Sequence, residues 1–529
     1  MFGEPVYLKQ NVLVEPLINQ WYAWSYLVAP ATAAMYIANA HLRIMQSFVA
    51  NPQVHIAALK NPAMVGGPFI NYDAGKVPEI RSLIEKTTKE QSHMLEFAEA
   101  VRLLAATLSE EATGYSMEPL YQKVPDALRG YVELVYDLNN NPTMRFIEGL
   151  LYKSKYVQES SQSIEISLAL KDVRSFIFST PRLRDEARLY LNVPFSFDGL
   201  DDFFRMKTIP SKYESIKDRM NVEDKDNELF STFFTLDKHL QAAAYEGDGV
   251  RIRYLGHACL LIESQGVCIL SDPVISYQEN NGTPRYTYAD LPETIDYVVL
   301  THNHQDHVMF ETLLQLRHKV KTVIVPRSCG GLLADPSLKL VLQHIGFDNV
   351  VEIEELESIA IKEGTITGIP FFGEHADLFV RAKTAYLIKL KGKTILCAAD
   401  SNNIEPRLYE HIHDSIGSLD VAFIGMECDG APLSWLYGPL LSKPLPRKMD
   451  QSRRLDGSDY AKAIDMVDRL KPRQVYVYAM GQEPWLTYLT SIHYTDESRP
   501  IIESNKLVND CLNRGLLSER LFCQKEIFL

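Results

Sequence analysis

The chain has 529 residues, more than one hydrophobic core usually holds, so two or three domains are expected. Its 46% hydrophobic and 23% charged content are those of a soluble globular protein and exclude a disordered chain. A net charge of -14, from 68 acidic and 54 basic residues with no Lys/Arg cluster, argues against a nucleic-acid partner.

Up to about residue 245 the pattern is mainly helical. Val77-Pro78-Glu79 opens a stretch in which Ile80, Leu83, Ile84, then Met94, Leu95, Phe97 and Ala98 recur near a 3.6-residue period. Met1-Phe2-Gly3-Glu4-Pro5 lacks the basic residues and apolar core of a secretion signal. Trp21 to Ala40 is aromatic and interrupted by polar residues, which suits a buried helix pair better than a membrane span. Trp21, Tyr22, Trp24 and Tyr26 within it read as core or subunit contact rather than a recognition surface.

Around Glu246-Gly247-Asp248-Gly249 the character switches to short apolar runs, which sets a domain boundary between residues 1–245 and 246–529. Val250 to Leu255, Ala258 to Ile262 and Val267 to Leu270 predict a three-strand meander. Strands then alternate with helices: Tyr297 to Leu300, a helix near Phe310 to His318, Thr322 to Val325, and a helix over Ser337 to Gly346. Later strands are expected at Thr384 to Leu390, Thr394 to Ala398, Val421 to Ile424 and Gln474 to Tyr478. A helix from Ser458 to Leu470 precedes the last of these. Such alternation signals layered α/β structure. Seven widely spaced cysteines without a CxxC read as reduced thiols of a cytoplasmic protein.

The chemistry concentrates in Thr301-His302-Asn303-His304-Gln305-Asp306-His307. Alternation puts His302 and His304 on one side of an extended segment, while Asp306 and His307 follow as the chain turns toward a second ion. Imidazoles and a carboxylate in this HxHxDH spacing suit zinc, iron or manganese. Two ions need further ligands from later strand ends. Phe371-Phe372-Gly373-Glu374-His375-Ala376-Asp377 and Ala398-Ala399-Asp400-Ser401 provide them, with Asp400 able to bridge both cations. His257 reads as a turn residue or a support for the metal ligands. His411 and His413 lie in a helical stretch opened by Pro406 and read as surface or packing residues. The long polar loop after Glu427 leads to the expectation that Asp429, Trp435, Tyr437 and the segment to Lys448 cover the site.

With these residues in place the chain resembles the metallo-β-lactamase superfamily over roughly residues 249 to 480. The resemblance implies an αββα sandwich in which His302 and His304 bind one metal, Asp306 and His307 the other, and Asp400 both. Two departures stand out. Adjacent Glu374 and His375 occupy the place of the usual third histidine, and no histidine ends the last strand, at Tyr478-Ala479-Met480-Gly481. Glu427 is a carboxylate that could compensate or bind substrate, with His493 a weaker alternative.

THNHQDHV, GEHADL, AADS and GMECDGAPLSWLYGP, after VEPLINQWYAWSYLVAPATAAMY, are similar to the chloramphenicol-pathway β-hydroxylase family. That resemblance implies a non-haem diiron monooxygenase using O2 and an external electron donor. It also implies hydroxylation of the β-carbon of an amino acid held as a thioester on a peptidyl carrier protein of a nonribosomal peptide synthetase, with Glu374 an iron ligand. His375 then supports the site, and the N-terminal domain makes a homodimer. The rival is a dinuclear-metal hydrolase, a lactonase, thioesterase or phosphodiesterase using a bridging hydroxide.

Overall fold

The structure is a computed structural model describing residues 3–157, 159–239, 241–279 and 282–529. Met1 and Phe2, which enter the reading of the N-terminus, lie outside the described residues. The C-terminal half is built on two seven-stranded sheets. The first begins as the expected meander, Arg251–Gly256, Cys259–Ser264 and Val267–Ser271, antiparallel throughout. It continues in parallel through Ile295–Val299, Val320–Pro326 and Val350–Ile353, with Lys525–Phe528 closing the other edge. The second sheet runs Ser358–Ile361, Gly364–Ile369, Ala385–Leu390, Lys393–Cys397, Val421–Gly425, Gln474–Tyr478 and Leu517–Arg520.

Inward-facing side chains of both sheets, among them Ile252, Leu260, Ile269, Ile366, Ile388, Phe423 and Tyr478, interlock as one buried layer. Helices Pro406–Ile416, Tyr460–Leu470 and Arg499–Asn513 cover the outer face of the second sheet through Tyr409, Ile412, Met466, Leu470 and Leu507. Asp459 caps the second of these by accepting the Lys462 N–H. The shorter Phe310–Leu316 and Leu338–His344 cover the first sheet. The result is the four-layer αββα sandwich.

The N-terminal region is mainly helical with some strands, the α+β character expected of it. Helices Val77–Glu90 and Ser92–Glu111 form as expected, with Pro78 in the first turn. Between them and the sandwich, however, sits a four-stranded antiparallel sheet around Val12–Ile18 and Gln162–Leu168. All seven residues of Val12–Ile18 are buried, so the run has no alternation by which a half-exposed strand is recognised. Glu15 and Glu165 face each other across this pair, and Arg182, Arg174 and Arg188 neutralise them.

Trp21, Tyr22, Trp24 and Tyr26 are each at most 2% exposed and build the core shared by the N-terminal region and the first sheet. Tyr22 donates to Glu311 and Tyr26 to the Ala334 carbonyl, tying that region to the helical layer beneath the site. All seven cysteines are free thiols. Among the described residues no helix is long and apolar enough to cross a membrane.

Candidate metal centre

Parallel strands all end at one edge of a sheet, so residues just past neighbouring ends converge there. The strand Ile295–Val299 delivers Thr301 to His307, and Lys393–Cys397 delivers Asp400. The loop Gly373 to Asp377 approaches from the strand Gly364–Ile369. Gly425 lets Asp400 sit close, because a Cβ there would lie 2.3 Å from the Ala399 carbonyl and 2.8 Å from Asp400 Oδ1. Gly373, at φ +80°, starts a left-handed run continued by Glu374, Ala376 and Asp377 that turns Glu374 inward.

Three sets of donor atoms lie close enough to hold ions: His302, His304 and Glu374; His302, His307 and Asp400; and His257, Asp306 and His307. His304 Nδ1 is 3.2 Å from Glu374 Oε1 and 3.1 Å from His302 Nε2. Asp400 Oδ2 is 2.8 Å from His307 Nε2 and 3.7 Å from His302 Nε2, so one carboxylate oxygen reaches both halves of the cluster. His257 Nε2 is 3.3 Å from Asp306 Oδ2 and 3.2 Å from His307 Nε2.

The far sides of the rings are held. Asp272 Oδ2 meets His307 Nδ1 at 2.9 Å and accepts the Thr301 hydroxyl at 2.6 Å, while its Oδ1 accepts the Thr301 N–H at 2.7 Å. His304 Nε2 is 3.2 Å from the Tyr437 hydroxyl. Gly481 N–H donates to His257 Nδ1 at 3.2 Å, and Ala479 N–H to the His257 carbonyl at 2.9 Å. Such partners fix tautomer and ring orientation around a metal.

Electrostatics match a cation-binding role. Burial, then Asp400, Glu427 and Asp306, push the Glu374 carboxyl well above its usual range. Burial, then His307 and His304, hold His302 neutral, and burial holds His304 down to about 4. Against burial, Asp400 and Asp272 raise His307. Glu374 so placed favours its protonated form, and a divalent cation would displace that proton. Asp400 Oδ2 faces the histidines, while its Oδ1 is buried without a hydrogen-bond partner in the protein. Imidazoles with three carboxylates suit iron or manganese.

The structure sorts the residues that the sequence put forward. Glu374, and not His375, joins the donor sets. His375 turns its Nδ1 toward the Gly373 carbonyl at 3.2 Å, and its ring lies against His304 with centroids 4.6 Å apart. Glu427 and His493 do not fill the gap left by the missing terminal histidine, and His493 is exposed. His257 does, because the tight turn at Gly256-His257, with His257 at φ +50°, lies at the same sheet end and is braced by the Ala479 to Gly481 segment. Sequence reading placed His257 only as turn or support and missed Asp272. An acid ending the strand beside the one that carries HxHxDH was the available signal for Asp272. His411 and His413 stay on their helix, away from the cluster.

A cavity of about 750 Å³ opens onto His257, His304, Asp306, Glu374 and Asp400. Asp429 and Trp435 line it, and Tyr437 stands behind His304. The cavity shares Val65, Gly66, Gly67, Ser491 and Ile492 with a second one of about 840 Å³, which reaches the exposed Val173 and Phe522. The two form a route from the surface to the donor cluster.

An αββα sandwich with three overlapping sets of metal donors at one end defines a dinuclear metalloprotein of the metallo-β-lactamase fold, and the beta-lactamase superfamily domain matches residues 268–477. Residues 7–237 match the diiron non-heme beta-hydroxylase N-terminal domain. The chain is 39% identical over 530 residues to the 4-amino-L-phenylalanyl-[CmlP-peptidyl-carrier-protein] 3-hydroxylase of Streptomyces venezuelae, covering 99% of each. It superposes on the crystal structure of CmlA, a diiron beta-hydroxylase from that organism, with a TM-score of 0.92 and 38% identity, covering all of both chains. A metal-dependent hydrolase of Flavobacterium johnsoniae is 28% identical over 155 residues, 27% of this chain and 65% of that one. The chain therefore belongs to the diiron non-haem β-hydroxylase family, and it is an oxygenase with a diiron cofactor. The hydrolase alternative gives way, since its likeness stops at part of the sandwich.

Proposed function

We propose that this enzyme hydroxylates the β-carbon of an aminoacyl group tethered to the peptidyl carrier protein of a nonribosomal peptide synthetase, in the cytoplasm. The observation that carries the reading is the carboxylate-rich donor set, in which Glu374 joins His302 and His304. His302, His304 and Glu374 would hold one iron and His257, Asp306 and His307 the other, with Asp400 within reach of both groups. Residues 1–245 would serve dimerisation and carrier positioning, and 246–529 catalysis.

The irons, when bound, supply activation of O2, which with two external electrons and two protons leaves one oxygen in the substrate C–H bond and one in water. The chain's part is positioning and exclusion. Asp272 holds the His307 ring and Tyr437 the His304 ring, fixing the donor directions. The route past Gly66, Gly67 and Ser491 suits a narrow tethered arm, and tethering limits the geometry in which the β-carbon meets the centre. Trp435, whose indole N–H donates to the Gly66 carbonyl at 3.0 Å, closes the cavity wall against water.

The test is aerobic turnover of iron-loaded, chemically reduced enzyme with a panel of aminoacyl carrier proteins, read by intact mass. One added oxygen, only on carrier-bound substrate, is the expected result. Loss of the acyl group, or equal turnover of the free amino acid, would overturn the reading.

A further inference from the structure

Glu427 lies in the same cavity as the donor cluster but in none of its three donor sets, so each metal position has its protein ligands without it. It stands two residues past the strand Val421–Gly425, and its carboxylate is fixed by the turn that follows. Oε2 accepts the Gly430 N–H at 2.7 Å, and Oε1 accepts the Asp429 N–H at 3.3 Å and the Tyr494 hydroxyl at 3.4 Å. Four acceptor sites on an ionised carboxylate leave room for one more donor.

What is missing is a cation. Among the described residues no Lys, Arg or His forms an ion pair with Glu427; Asp429, Asp400 and Glu374 beside it are acids, and Arg499 directs its donors to the Cys428 carbonyl and Asp459. Arg454, the basic side chain that lines this cavity, directs its donors to the Asp429 and Gly430 carbonyls and to Gln451. A partly buried carboxylate without a positive partner is unfavourable unless a ligand brings one.

We propose that Glu427 binds the α-ammonium group of the tethered substrate and so selects aminoacyl over plain acyl thioesters. This rests on the aminoacyl-carrier reading above. An ammonium offers three N–H donors, one of which fits the open side of Glu427. The amine is borne by the carbon next to the β-carbon, so anchoring it also fixes how the β C–H bond faces the centre. A des-amino substrate leaves the carboxylate unpaired, the situation in which polar sites discriminate most strongly.

The experiment compares two carrier proteins differing only in the amine, one loaded with phenylalanyl and the other with 3-phenylpropionyl, using iron-loaded full-length enzyme. The readouts are carrier affinity, KM against kcat, and iron content. Wild type is expected to prefer the amine by about 10- to 100-fold, the range of a charge-assisted hydrogen bond. In Glu427→Gln the preference should fall to within about threefold, with iron unchanged, and Glu427→Asp should restore part of it. N-acetyl-phenylalanyl carrier tests wild type directly and should bind like the des-amino form. If Glu427 only braces the 429–430 turn, both carriers weaken alike and the ratio survives, which overturns the proposal, as does loss of iron in Glu427→Gln. Failure of wild type to oxygenate any aminoacyl carrier would instead defeat the substrate reading itself.

Discussion

Replacing Asp272 by Asn tests whether the metal centre depends on a residue that touches no metal. The carboxylate serves three donors at once: the Thr301 N–H at 2.7 Å, the Thr301 hydroxyl at 2.6 Å and His307 Nδ1 at 2.9 Å. Asparagine keeps one acceptor oxygen and puts an NH2 on the other side. If the oxygen faces the Thr301 N–H, the NH2 faces His307 and drives its proton to Nε2, the atom directed at Asp400 and the metal position. Loss of such a partner typically weakens metal binding by about 10- to 100-fold. If the oxygen faces His307 instead, the NH2 opposes the Thr301 N–H in a fully buried site, costing about 1–3 kcal/mol of folding stability. Competition with a ferrous chelator reads the first outcome and thermal unfolding of the metal-free protein reads the second. Asp272→Asn with wild-type iron retention and wild-type stability would refute the reasoning.

Gly425→Ala places a methyl group 2.3 Å from the Ala399 carbonyl and 2.8 Å from Asp400 Oδ1. It should displace Asp400 and lower iron content below two per chain while the fold persists, measurable by metal analysis beside circular dichroism. Glu148 supplies a pH test remote from the metal. Burial, then Asp335 and Glu352 against one hydrogen bond from Ser337, push its carboxyl from 4.5 up to about 7. Between those values the folded state holds more protons than the unfolded one, so this group's contribution falls as pH rises from about 4.5 to 7. Glu148→Gln keeps an acceptor for the Ser337 N–H and removes the titration. The variant should match wild type near pH 4.5 and exceed it at pH 8 by about 1–3 kcal/mol in denaturant unfolding. Equal stability at pH 8 would count against that burial argument.

Much of this protein was legible in one dimension because its information is local. HxHxDH spacing reflects how few residues separate two faces of a strand and the turn after it, and the apolar runs from Val250 onward carry their own strand period. Gly373-Glu374 and Asp400 could be found as acids at the ends of such runs. The resemblance of whole motifs did the rest for the family. Three matters needed the folded chain. His257 reaches the centre only because the first turn of the meander and the end of the strand Gln474–Tyr478, one from each sheet, meet at one end of the sandwich, 224 residues apart for His257 and Gly481. Asp272 becomes a partner of His307 only through the parallel pairing of Ser271 with Val299. The buried Val12–Ile18 strand has no period to read, so its identity came from pairing with Gln162–Leu168. Spacing along the chain determined which chemistry is present. Convergence of distant strand ends decided which side chains share it, since contacts between segments hundreds of residues apart leave no local pattern.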